Sequence, residues 1–197
     1  SLGIFILPTN SCKKDIINFK NKIKKMSLTN ATYCSHPPHL TLTNIQVLNL
    51  PLALDKVSKG LGEMKSFHIN ISTRGVFWND PATGYNTLYF KVDHCEELFL
   101  LQKKISSILL PIINKKSPPK YVKENSLLLN SYLKYGFPFI GDHWIPHFSI
   151  ASISYSRNKS FFKNFLNKKK NYCFEINQIS CWSIKKESHK KLLTVKF

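Results

Sequence analysis

Acidic residues are scarce in this chain of 197 residues: 11 Asp and Glu stand against 29 Lys and Arg, a formal net charge of +18. A surplus of that size sets up a strongly positive surface and points to a polyanionic partner, RNA or DNA first and an anionic membrane surface second. The competing explanation is a solvated lysine-rich surface, since Lys far outnumbers Arg and an AT-rich coding sequence inflates Lys, Asn and Ile together. Long apolar runs are missing too, which excludes a membrane-spanning helix and leaves no membrane partner expected. The opening "GIFILP" reads as a strand and not as a signal peptide. Ser1 in place of Met implies a processed or recombinant start with a few native residues missing. Cys12, Cys34, Cys95, Cys173 and Cys181 are odd in number and show no CxxC or other zinc-type spacing. They read as scattered thiols of a reduced, cytoplasmic protein. There is no HExxH, no Gly-rich phosphate loop and no Asp/Glu cluster, which argues against metalloprotease, P-loop and two-metal mechanisms. No cofactor and no metal site is expected.

What is present is enough for a packed core: hydrophobic residues make up 43% and aromatics 13%. The length suits a single unit over 1–197, and a monomer is expected. Apolar spacing predicts a buried strand over 2–8, then a helix capped by Asn10 or Ser11 and running to about Met26. A strand over 39–47 and a helix over 51–64 come next, with Pro51 in the first turn of that helix. Alternation predicts strands over 66–78 and 86–93, joined by a turn at "NDPATGY". The helix over 96–110 ends at Pro111, and the Pro- and Lys-rich 114–121 reads as a loop or hinge inside one domain. A short helix over 123–134, a loop to Pro146, a strand after it and a helix over 158–169 lead to a closing hairpin of 172–185 and 191–197. Strands and helices alternate without long parallel crossovers, so the fold class is α+β with antiparallel sheets.

One pattern occurs twice. Pro38-His39-Leu40-Thr41-Leu42 has a counterpart in Pro146-His147-Phe148-Ser149-Ile150: proline, histidine, apolar, hydroxyl, apolar. At this composition two histidines would meet the last four requirements in on the order of one or two sequences per hundred, and the prolines make the coincidence rarer still. The period of two puts each histidine and hydroxyl on one face of a strand and the apolar residues on the other. The chemistry gives a reason for the pairing. Breaking a phosphodiester or cyclic phosphate without a metal needs one group to deprotonate the attacking oxygen and another to protonate the leaving oxygen. Two imidazoles can do both near neutral pH. A hydroxyl two residues on, roughly 7 Å along the strand, can bond a non-bridging phosphate oxygen in the transition state. His39 and His147 are therefore the candidate catalytic residues, with Thr41 and Ser149 contacting the substrate. His36, His68, His94, His143 and His189 lack that context and read as surface or loop residues, His143 least firmly because it lies four residues before His147.

The doubled motif, the apolar first strand and the closing hairpin resemble the 2H phosphoesterase superfamily, most of all its LigT-like members, the 2′-5′ RNA ligase-like or cyclic phosphodiesterase group. The resemblance extends over nearly the whole chain. It implies a bilobal fold with two pseudo-symmetric antiparallel sheets lining a central cleft and helices outside. It also implies metal-independent chemistry on RNA or oligonucleotides: opening 2′,3′-cyclic phosphates, cutting 2′-5′ linkages, trimming RNA 3′ ends or joining RNA ends reversibly. A 2′-5′ oligoadenylate phosphodiesterase that blunts an antiviral or antiphage signal, and an RNA-binding module that has lost turnover, stay open beside it. Some members carry a basic residue just after a motif. "TLTN" and "SIAS" carry none, so that charge would come from elsewhere, for example Arg74 or Lys91. Tyr33, Trp78 and Trp144 are candidates to stack on a base, whereas Phe77 is expected in the core.

Overall fold

The computed structural model describes residues 1–26, 35–154, 160–168, 170–185 and 188–197. Tyr33 and Cys34 lie outside them. The chain begins with strand β1 (Leu2–Ile6), followed by helix α1 (Asn10–Lys25), whose Ile16 and Ile23 are buried at helical spacing. Its N-cap is Thr9, one residue before the expected cap, and the Thr9 side chain makes no capping bond. Strand β2 (Leu40–Ile45) carries the first motif. Helix α2 (Leu50–Gly60) starts at Asn49, whose side chain accepts from the Leu52 amide at 3.0 Å, with Pro51 in the first turn where its missing N–H costs nothing.

The strand expected over 66–78 is two strands, β3 (Phe67–Ile71) and β4 (Thr73–Asp80). The chain changes sheets at Ser72, whose hydroxyl donates to Asp93 at 2.6 Å while the Asp93 amide bonds Asn70. Strand β5 (Tyr85–Lys91) and helix α3 (Glu96–Leu109) come next, and Pro111 sits in a short 3-10 turn that ends α3. Helix α4 (Lys120–Lys123) is a single turn. Helix α5 (Ser126–Tyr135) is capped by Asn125 and stopped by Gly136 at φ 68°, a left-handed conformation that glycine adopts without strain. Strand β6 (His147–Ile153) carries the second motif, and helix α6 (Ser160–Asn167) comes after it. The run over 172–185 also divides, at Asn177, into β7 (Tyr172–Ile176) and β8 (Gln178–Lys185), and β9 (Ser188–Lys196) closes the hairpin.

The fold is α+β with two antiparallel sheets. The larger has seven strands in the order β4-β5-β6-β2-β1-β8-β9, and the smaller pairs β3 with β7. Each divided run thus gives its first half to the small sheet and its second half to the large one. The large sheet itself has two wings, β4-β5-β6 and β2-β1-β8-β9, joined where Leu40 on β2 pairs with Phe148 on β6. Leu40, Leu42, Phe148 and Ile150 face a core that includes residues of α1, α2, α3, α6 and the small sheet. The opposite face of the sheet's centre is open. Among the described residues no helix is long and apolar enough to cross a membrane.

Candidate active site

His39, Thr41, His147 and Ser149 are all partly exposed, and the apolar residues between and after them are buried. The period-two alternation therefore puts all four on the open face at the junction of the two wings. Counting outward from the Leu40–Phe148 pair sets His39 opposite Ser149 and Thr41 opposite His147. The two histidines are then diagonal neighbours, a separation of roughly 7–8 Å in a regular pair of strands, which leaves room for one phosphate between the rings.

Each ring is held in the same way. His39 Nδ1 donates to the Pro37 carbonyl at 2.7 Å, and His147 Nδ1 donates to the Ile145 carbonyl at 2.6 Å. A carbonyl can only accept, so Nδ1 carries the hydrogen in both and Nε2 is the nitrogen left for a substrate. The proline of each motif explains the arrangement. Proline fixes its own φ and forces the residue before it into extended backbone, which sets the carbonyl two residues back from the histidine. Among the described residues no hydrogen bond occupies the Thr41 or Ser149 hydroxyl.

The surroundings repeat the two-fold relation. Thr41 pairs with Phe5 on β1, and Ser149 pairs with Tyr89 on β5. Beyond each pair the register slips by one residue, so Leu42 and Ile150 are the extra residues of two equivalent bulges. Bulges bend a strand and re-aim its side chains, and they are enriched beside active sites. Phe5 and Tyr89 are 2% and 8% exposed yet stand outside the main core. The Phe5 ring lies 4.1 Å from that of His39, and the Tyr89 ring 5.2 Å from that of His147. Each aromatic has a glycine making room for it: a Cβ on Gly3 would come within 2.4 Å of Phe5, and one on Gly75 within 2.3 Å of Tyr89.

The two halves differ in charge. Burial lowers the pKa of His39 to about 4, with His189, Lys20 and His36 pushing the same way and the Pro37 bond opposing. His147 is also lowered by burial, but the Ile145 bond and the Asp80 carboxylate both oppose the shift. His36 and His189, read from the sequence as surface residues, stand beside the first motif: the His189 ring is 6.1 Å from His39 and 4.3 Å from His36. Burial brings His36 down to about 4 as well. Lys20, buried on α1, donates to the His36 carbonyl at 2.8 Å and braces the approach to β2.

Two expected aromatics lie elsewhere. Trp144 is 5% exposed and packs edge-on against Phe99 of α3 at 5.3 Å, so it belongs to the core. Trp78 packs on Phe162 of α6 at 4.9 Å. Its neighbour Phe77, expected in the core, is the one on the open face, 5.0 Å from the His147 ring and stacked on Tyr89 at 4.1 Å. Adjacent residues of a strand point to opposite faces, so only one of this pair can reach the site. The same rule separates the basic candidates. Lys91 is exposed and directly opposite His147, whereas Arg74 pairs with Phe90 on the core face and stacks on Phe19, Phe90 and Phe165 at 4.9, 5.0 and 5.4 Å. A recess of about 600 Å³ opens beside the first motif, with Pro37, Pro38, Ser180, Trp182 and Lys13 among its walls.

The α+β architecture, with its seven-stranded antiparallel sheet, is LigT-like. Comparison with solved structures agrees. TT0787 of Thermus thermophilus superposes with a TM-score of 0.65 at 13% identity, covering 99% of this chain and 96% of that one. A structure described as a phosphoesterase gives 0.55 at 12% identity, covering 100% and 97%. E. coli LigT complexed with 3′-AMP gives 0.54 at 11% identity, also covering 100% and 97%. No protein-family model matches the chain, and no curated protein sequence does. At these identities the likeness is one of fold.

Proposed function

We propose that the chain is a metal-independent phosphoesterase of the 2H type that opens 2′,3′-cyclic phosphates or cuts 2′-5′ linkages in RNA or oligonucleotides. The observation that carries this reading is the pair of imidazoles on one face of the sheet, each with Nδ1 tied to a carbonyl and, among the described residues, no hydrogen bond to Nε2. One Nε2 takes the proton of the attacking water, whose oxygen bonds to phosphorus. The other gives its proton to the ester oxygen as the P–O bond breaks, leaving a phosphomonoester and a free hydroxyl. Thr41 and Ser149 donate to the non-bridging oxygens as charge builds on them. Lys91, across from His147, adds a cation for the phosphate. His39, lowered to about 4 mainly by burial and further by Lys20, stays neutral at pH 7, which suits the base; the Asp80 carboxylate favours the proton on His147, which suits the acid. LigT, which shares the fold, has been crystallised with 3′-AMP and with ATP, which supports a nucleotide substrate here.

The test is a panel of end-labelled oligonucleotides bearing 2′,3′-cyclic, 2′-5′ or 3′-5′ phosphates, incubated with and without chelator. Chelator-resistant opening or cleavage of the first or second class is expected. Binding without turnover of any member would reassign the chain to an RNA-binding module on the same fold.

A further inference from the structure

Arg74 lies on the wrong face of the sheet to help the two histidines, and its surroundings suit it to another task. It lines a cavity of about 310 Å³ together with Asp15, Asn18, Phe19, Lys22, Lys168 and Lys170. Four cations thus meet a single carboxylate, and that carboxylate is engaged: Asp15 accepts from Lys170 Nζ and from the Tyr172 hydroxyl, each at 2.5 Å, bonds that hold it below the usual carboxylate range. The Arg74 guanidinium is set among three aromatic rings and donates to the Phe165 carbonyl at 3.4 Å. A fork fixed in this way loses little freedom when it binds a phosphate through two hydrogen bonds. The volume is at the lower end of the range for small-ligand sites and admits a phosphate with its sugar.

The cavity is joined to the candidate active site by the edge of the sheet. His147, Lys91 and Thr73 form one cross-strand row on the open face, and β4, which carries Thr73, is the edge strand. The row spans two strand spacings, roughly 10 Å. Arg74 is the next residue and points to the other face, so a chain that tracks the row over the edge arrives at the cavity.

We infer that this cavity is a second phosphate site, which takes a backbone phosphate of the same oligonucleotide whose scissile phosphate lies between His39 and His147. The inference rests on the proposed activity for its substrate and adds that an oligonucleotide is preferred to a mononucleotide. The test compares the intact chain with a Lys22→Gln/Lys168→Gln variant, and separately with Arg74→Gln, which also removes a packed side chain. Two measurements are made: binding of a fluorescent oligoadenylate over a salt series, and KM for that oligomer and for a mononucleotide, both ending in a 2′,3′-cyclic phosphate. The double variant is expected to bind the oligomer about tenfold more weakly, with a log–log salt slope shallower by about 1.4 for two lost contacts. KM for the mononucleotide and kcat should not move. Unchanged oligomer affinity and slope, or an equal rise in KM for the mononucleotide, overturns the second site. If neither ester is turned over, the proposed activity fails while the affinity and slope still decide the cavity. Calorimetric binding of inorganic pyrophosphate that is lost in the variant while oligomer affinity holds would assign the cavity to a free phosphate ligand and overturn the backbone reading.

Discussion

Leu40 and Phe148 are backbone partners across the junction of the two wings; both are fully buried, and each directly succeeds a histidine of the open face. The contact that joins the wings therefore also sets the spacing of the two imidazoles. Phe148→Ala should cost about 3–5 kcal/mol of stability, the range for deleting a buried aromatic ring. It should also cut turnover more than an equally destabilising cavity away from the junction, such as Leu101→Ala on α3. Denaturant melts and single-turnover rates on both variants test this, and equal losses of rate would show that the junction has no special place.

His39→Ala and His147→Ala should each lower turnover at least about a hundredfold while circular dichroism and the melting temperature stay near the parent values. Thr41→Ala and Ser149→Ala should cost about ten- to a thousandfold as lost donors to the phosphate. Near-full activity in either histidine variant, on every ester of the panel, would refute the paired acid and base.

The pH dependence has a sign. Both histidines have lowered pKa values, His39 at about 4, so the bell of kcat/KM should lie on the acid side of the ordinary histidine value of about 6.5. Asp80→Asn removes a carboxylate that favours protonated His147 and should move the basic limb further down. The unfolded chain binds protons at these histidines before the folded chain does. Stability is therefore complete above about 6.5 and falls as the pH drops towards 4, less steeply in His39→Asn. A rate rising monotonically from acid to alkaline pH would sink the two-histidine mechanism.

Gly75→Ala drives a methyl group into the Tyr89 ring beneath His147, since its Cβ would lie 2.3 Å from that ring. Turnover should fall, and Gly75→Ala/Tyr89→Leu should recover part of the loss. Rates for the single and double variants check this, and no effect of Gly75→Ala would mean that the Tyr89 ring does not hold His147.

Activity should survive EDTA, because two imidazoles supply both proton transfers. Loss on chelation, restored by added zinc, manganese or magnesium, would contradict that chemistry.

The motif pair is legible in the sequence because its information is local: proline, histidine and hydroxyl at fixed offsets, with an alternation that assigns faces within one strand. The surroundings of the pair are not, because they depend on register between strands distant in sequence. Nothing near Phe5 or Tyr89 announces that each will pair with a motif hydroxyl, and His189 reaches His39 only through the β8–β9 hairpin. Alternation shows that Phe77 and Trp78 must part company but not which faces the histidines. The divided runs carry only a slight local mark. Two successive polar residues, Ser72-Thr73 and Asn177-Gln178, shift the alternation by one place where the chain changes sheets, and so small a shift does not distinguish a change of sheet from a bulge within one strand.

The carbonyl tethers on His39 and His147 also govern the state of the protein after a turnover. On the proposed chemistry the base ends with a proton and the acid without one, while both rings keep the same Nδ1 tether. The protein leaves the reaction as a near mirror image of the one that entered, primed for the reverse direction. Restoring it needs a proton to pass from one imidazole to the other through solvent. Direction is then a property of the substrate's concentration and of this resetting step, and buffers that ferry protons should speed the cycle wherever resetting is slow.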